Sequence, residues 1–148
     1  RNCFIMVQLK MDDSIIIDVL KSVRRIALVG ASPKPERPSH RVMGFLMSKG
    51  YEVVPVNPGL AGKTIHGETV YGSLSDIPGT IDMVDIFRAS AFVGGVVDET
   101  LTLSPLPRVI WMQLDIRDDA AAERARARGL TVIMDRCPAI EYPRLIGA

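Results

Sequence analysis

The sequence predicts an α/β fold: three layers, α/β/α, built on a mostly parallel five-stranded sheet with one short extra strand. Three observations predict it. Apolar, β-branched runs recur at 25–30, 51–56, 81–87, 108–113 and 130–134, each short enough to be a buried strand. Helical patterns separate the runs, and alternation of this kind produces parallel sheets with right-handed crossovers. The first run, Ile26-Ala27-Leu28-Val29, feeds a Gly30-Ala31-Ser32 turn and then a helical pattern at 39–49. That is the opening β-turn-α of a Rossmann-like fold, whose turn and helix start can face a phosphate.

Each element follows in order. Ile15, Ile16, Val19, Leu20 and Val23 recur near helical spacing and predict a helix over 12–22, with Asp12, Asp13 and Ser14 as its N-terminal residues. After the first strand comes a loop with Pro33, Pro35 and Pro38. Ser39 is placed to cap the next helix, which sets Val42, Phe45 and Leu46 on one face and stops at Gly50. The loop 57–68 is glycine-rich, and a short strand is expected at 69–71. Ser75-Asp76-Ile77-Pro78 reads as one helical turn, and Gly94-Gly95 weaken the helix expected at 90–103. The next helix carries Asp118, Asp119 and Glu123 early and Arg124, Arg126 and Arg128 late, the order the helix dipole favours. A short helix at 139–145 closes the chain. The loops 30–41, 57–64, 87–90 and 111–115 all fall on the edge beyond the strands' carboxyl ends, where ligands of such sheets bind.

Composition bounds the function. The 148 residues are 47% hydrophobic, with a mean hydropathy of +0.19. One folded domain over 11–148 is expected, and disorder is not. No apolar run approaches the ~18 residues of a membrane span, so no membrane partner is expected. The chain opens on Arg1. Its short apolar stretch Cys3-Phe4-Ile5-Met6 leads to Gln8, Lys10, Asp12 and Asp13 without a small-residue cleavage site. Residues 1–10 are therefore read as an N-terminal extension. Cys3 and Cys137 make no disulfide framework, and His40 and His66 make no metal cluster. A metal-free cytoplasmic protein is the expectation.

The net charge of +1 hides an asymmetry. Between 24 and 63, Arg24, Arg25, Lys34, Arg37, Arg41, Lys49 and Lys63 face only Glu36 and Glu52. Seven against two leaves this segment at +5, which suits a small polyanion or, equally, a solvated basic face. Aromatic residues are not interleaved with these cations, so nucleic acid is not an expected partner.

The candidate site residues come from the same edge. Gly30, Ala31 and Ser32 offer backbone N–H groups and a hydroxyl to a phosphate, or form a plain connecting turn. Ser39, His40 and Arg41 stand at the next helix start; Arg41 is placed to pair with either a diphosphate or Glu36. Two parts of a dinucleotide site are missing: the G-x-G-x-x-G spacing, and an acid at the second strand's end, where Asn57-Pro58 stands. The stretch from Asn57 to Thr64 approaches a phosphate-loop motif but has Asn57 for its first glycine and no helix pattern after Thr64. A nucleoside-triphosphate hydrolase is excluded on that ground, while Lys63 is kept as a phosphate contact. Phe87-Arg88 ends one strand and Trp111-Met112-Gln113 the next, in one layer. Trp111 there either stacks on a ligand or fills the core. Cys137 has Arg136 beside it but no histidine near in sequence, which disfavours a catalytic thiol. Glu141 reads as structural, tied to an arginine. No nucleophile–base pair, paired carboxylates or metal pattern emerges, so no catalytic residue is assigned.

Taken together, these stretches resemble the small bacterial CoA-binding proteins of the Rossmann-like CoA-binding domain family, related to the CoA-binding domain of the succinyl-CoA synthetase alpha subunit. The resemblance is carried by Ile26-Ala27-Leu28-Val29-Gly30-Ala31-Ser32, Arg37-Pro38-Ser39-His40-Arg41-Val42-Met43, Gly50-Tyr51 with Pro55-Val56-Asn57-Pro58, Ile81-Asp82-Met83-Val84-Asp85-Ile86-Phe87-Arg88, Ile110-Trp111-Met112-Gln113-Leu114, and Met134-Asp135-Arg136-Cys137-Pro138-Ala139-Ile140-Glu141. It spans roughly 12–146. It implies coenzyme A or an acyl-CoA as the ligand. The 30–32 loop and Ser39, His40 and Arg41 would face the CoA phosphates. Val56-Asn57-Pro58 would border the adenosine, and Trp111-Met112-Gln113 the pantetheine arm. Two departures stand out. Leu60 occupies the place of the synthetase's lysine, with Lys63 three residues on. The synthetase's phosphohistidine and nucleotide-grasp domain have no counterpart in this sequence. The leading expectation is a stand-alone CoA-binding protein. Its competitors are an NAD(P)-dependent oxidoreductase or redox sensor, and the CoA-binding subunit of an acyl-CoA ligase. Exposed sheet edges or helix faces could support a homodimer.

Overall fold

The computed structural model describes the backbone of residues 2–147 and the side chains of 12–147. Five strands form one parallel sheet: β1 (Arg25–Val29), β2 (Glu52–Val56), β5 (Met83–Ile86), β6 (Val109–Met112) and β7 (Thr131–Ile133). Their order across the sheet is β2-β1-β5-β6-β7. Val29 stands opposite Val56 on one side and Ile86 on the other. The chain runs outward from β1 to β2 and returns to β5 on the other flank. The order therefore reverses between β1 and β5, which opens the crevice at their carboxyl ends.

The predicted Rossmann-like α/β/α architecture is present. Successive strand residues point to opposite faces and build two cores. On one face, Ile26, Leu28, Met83 and Trp111 pack with residues of α1 (Asn2–Ser22), α2 (Pro38–Ser48) and α5 (Pro138–Leu145). On the other, Ala27, Val84, Ile110 and Met112 pack against α3 (Ser90–Thr100) and α4 (Asp119–Ala127). Gly94 faces α4, and a Cβ there would meet the Arg124 guanidinium at 3.5 Å, an ordinary contact.

Three local expectations are corrected. The first helix begins at Asn2, so Asp13 is an interior helix residue, and its carboxylate accepts from Arg144 of α5 at 2.8 Å. The side chain of Cys3 lies outside the described residues. At α2 the cap position is Arg37 and Pro38 is the first helical residue. Proline there needs no N–H partner, and Ser39, one residue further in, is buried. The extra strand is a small antiparallel hairpin, β3 (Thr64–Ile65) and β4 (Glu68–Thr69), turned by His66 (φ 51°) and Gly67 (φ 78°). Paired positive φ values are what a two-residue hairpin turn requires. The strand expected at 69–71 is reduced to Glu68–Thr69 and a single bridge from Tyr71 to Val56.

Candidate functional site

The carboxyl edge is assembled by backbone hydrogen bonds first. The N–H groups of Gly30 and Ala31 both donate to the Val56 carbonyl, at 3.0 and 3.2 Å. These two donors are spent on closing β1 against β2, the connecting-turn role that stood beside a phosphate contact for this loop. Asn57 then locks the loop. Its Nδ2 donates to the Ala31 carbonyl at 2.8 Å, and its Oδ1 accepts from the Gly59 N–H at 2.9 Å, holding the short turn Pro58–Leu60. The Ser32 hydroxyl accepts from the Lys34 N–H at 3.2 Å.

Three cations stand on this edge. Arg41 donates to the Glu36 backbone carbonyl at 2.7 Å, so the expected pairing with Glu36 is made through the main chain and not the carboxylate. Arg88 lies over the Phe92 ring, 4.4 Å from its centroid. Lys63 is exposed in the turn before β3. Among the described residues none of the three has a carboxylate partner. His40 meets His66: its carbonyl faces Nε2 of His66 at 2.8 Å, and the two ring centroids lie 3.9 Å apart at a 30° tilt. No metal-ligand cluster forms among the described residues.

Trp111 and Met112 are both fully buried, one in each core. The indole N–H donates to the Arg136 carbonyl at 2.8 Å. Of the two roles open to Trp111, ligand contact or core, it fills the core, as Met112 does on the other face, because strand alternation turns each side chain into a core. Gln113, the next residue, is the one that reaches the edge. With its amide oriented to satisfy its surroundings, Nε2 donates to both carboxylate oxygens of Asp85, at 2.9 and 3.2 Å. Asp85 is completely buried on β5. Burial raises its pKa well above the usual carboxylate value.

Gln113 borders a cleft of about 610 Å³ between the start of α2 and the start of α5. Arg41, Phe87 and Gln113, far apart in sequence, meet in its lining. Phe87 is held there because its N–H donates to the Val29 carbonyl at 2.8 Å. The remaining predicted residues, Gly30, Ala31, Ser32, Ser39, His40, Val56, Asn57, Pro58, Lys63 and Arg88, do not line this cleft. Asp85, Asp115 and the apolar α5 residues were not singled out from sequence. Asp85 carried a legible signal, a lone carboxylate inside the apolar run Met83-Val84-Asp85-Ile86. Asp115 (φ 66°) and Asp135 (φ 58°) both adopt left-handed backbone, and the Asp115 N–H donates to Asp135 Oδ1 at 2.7 Å. That contact joins the loops after β6 and β7. Cys137 lines the same cleft as a buried free thiol. Glu141 is tied to arginine as expected, accepting from Arg144 at 2.5 Å with Arg136 at 3.5 Å.

A parallel sheet with its crevice at this switch point defines a Rossmann-like α/β protein. Within that class, residues 24–143 match the model of the CoA binding domain family, and the chain belongs to that family. It is 39% identical over 123 residues to the uncharacterized protein YneT of Bacillus subtilis, covering 82% of this chain and 87% of that one. A solved hypothetical protein from Pyrococcus horikoshii superposes with a TM-score of 0.85 at 36% identity, over 91% of this chain and 92% of that one. A shorter match, 33% identical over 87 residues, is to the alpha subunit of an ADP-forming acetate–CoA ligase of Pyrococcus furiosus; it covers 56% of this chain and 19% of that subunit. No helix among the described residues is long and apolar enough to cross a membrane.

Proposed function

We propose that the chain binds coenzyme A or an acyl-CoA as a stand-alone domain over 11–148, without catalysis of its own. The observation that carries this reading is the convergence of Arg41, Phe87 and Gln113 on one cleft at the carboxyl edge. Family membership supports the ligand class. So do Arg41, Arg88 and Lys63, which lack carboxylate partners among the described residues and can therefore serve a diphosphate and a 3′-phosphate. A nicotinamide dinucleotide suits the edge less well. Asn57 stands where an acid would hold the adenosine ribose, and both ends of its amide are committed to the loop. A reducing cytoplasm suits the free Cys137, and β7, the last strand of the sheet, leaves room for a homodimer.

Calorimetry on Arg41→Ala and Arg88→Ala tests the assignment. Each lost phosphate contact is expected to weaken CoA binding about tenfold, equivalent to ~1.4 kcal/mol. Wild-type affinity in both variants would contradict it. The match to an acetate–CoA ligase alpha subunit favours a second reading, a CoA-binding subunit whose nucleotide-grasp partner is another chain. Reproducible co-purification of such a chain supports that reading, and recovery of this protein alone counts against it.

A further inference from the structure

We propose that the cleft between α2 and α5 takes the apolar acyl chain of an acyl thioester, so that the protein prefers acyl-CoA to free CoA. This rests on the CoA reading above and extends it to the class of thioester. The cleft walls are Val42 and Phe45 from α2, Phe87 after β5, Ile116 after β6 and Ala139 from α5. Its volume of about 610 Å³ falls inside the ~300–1,000 Å³ range of small-molecule sites.

Two further residues are not explained by the fold. Leu114 is 48% exposed and Ile140 50% exposed, and both border this one cleft. Only four large apolar side chains among the described residues are exposed to this degree, the others being Ile15 and Phe92. Apolar surface gathered at a concave site marks a binding surface. Arg41 supplies a cation in the lining, while the carboxylate in the lining is Asp115, on the β6 loop. Gln113, also in the lining, is engaged by Asp85. An acyl-CoA joins a polyanionic head, which Arg41 can meet, to an uncharged tail.

The test is calorimetry with CoA and with acetyl-, butyryl-, hexanoyl- and octanoyl-CoA. Affinity is expected to rise with chain length, by about threefold to fourfold per methylene while the tail is buried (~0.8 kcal/mol each). In Ile140→Asp, a change at a half-exposed position, the octanoyl-CoA to CoA affinity ratio should fall toward one. Ala139→Phe, which narrows the cleft, should do the same, and thermal melting of both variants reports that they fold. Binding of CoA with a flat chain-length series overturns this inference and leaves the CoA reading standing. Failure of every CoA species to bind overturns both. Sedimentation supplies the other occupant: a flat series with a wild-type dimer that Ile140→Asp dissociates shows that a second copy covers this face, and overturns the acyl assignment.

Discussion

Gly30 and Phe87 meet where the strand order reverses. A Cβ on Gly30 would lie 2.7 Å from the Phe87 carbonyl oxygen and 3.2 Å from its Cβ. Gly30 also holds φ at +92°, in the region that other residues enter at a cost. The glycine is therefore required by the approach of β1 to the end of β5. That approach in turn sets Phe87 into the cleft.

Gly30→Ala is expected to lose at least ~2 kcal/mol of stability, from the left-handed backbone and the clash combined. Urea denaturation measures it. A loss below ~0.5 kcal/mol would mean the two loops part easily.

Glu141 of α5 is buried, and its carboxylate takes Arg144 and Arg136 together; Arg144 also reaches Asp13 of α1. Glu141→Ala should cost about 1–3 kcal/mol, because it removes charge-assisted hydrogen bonds from a buried acceptor. Both arginines remain partly exposed, which keeps the cost below that of stranding a buried charge. Thermal unfolding at low and high salt checks the value.

The Tyr51 hydroxyl donates to the Leu20 carbonyl of α1, and burial pushes its pKa up to about 12 from 10.0. The folded state thus keeps a proton that the unfolded chain gives up. The stability this group contributes is complete below pH 10 and is lost as the pH rises toward 12. Tyr51→Phe should cost about 1 kcal/mol at neutral pH and should flatten the decline between pH 10 and 12. Chemical denaturation across that range decides it.

Asp85 works in the same sense at lower pH. Its native pKa lies well above the ordinary 3.8 because the carboxyl is desolvated. Below 3.8 both states hold the proton and the contribution is complete. As the pH rises the unfolded chain ionises first, and stability is lost. Asp85→Asn keeps the shape and removes the titration. The variant should be more stable than wild type at pH 7 by about 1 kcal/mol or more, with the difference shrinking toward pH 4. An unchanged or widening gap toward acid would contradict the burial argument.

The parallel sheet was readable because apolar runs and helical periods alternate without ambiguity, and Gly30 marked the first crossover. Ser39 and Asp13 misled for a common reason. Both residue types favour helix starts, yet Pro38 took the first turn of α2, and α1 begins at Asn2, which leaves Asp13 in a helix interior. Trp111 was open between a ligand contact and the core, and strand alternation buries it. Leu114, Ala139 and Ile140 were invisible as a group because nothing in the sequence relates the loop after β6 to the start of α5. Only the packing of α5 beside α2 brings them together.

The central claim is that this edge binds coenzyme A through its phosphates and not a nicotinamide dinucleotide. One calorimetric comparison of CoA, dephospho-CoA and NADH tests it most directly. The account predicts binding of CoA, weaker binding of dephospho-CoA by about tenfold for the loss of one phosphate contact, and none of NADH. Binding of NADH with none of CoA would contradict it.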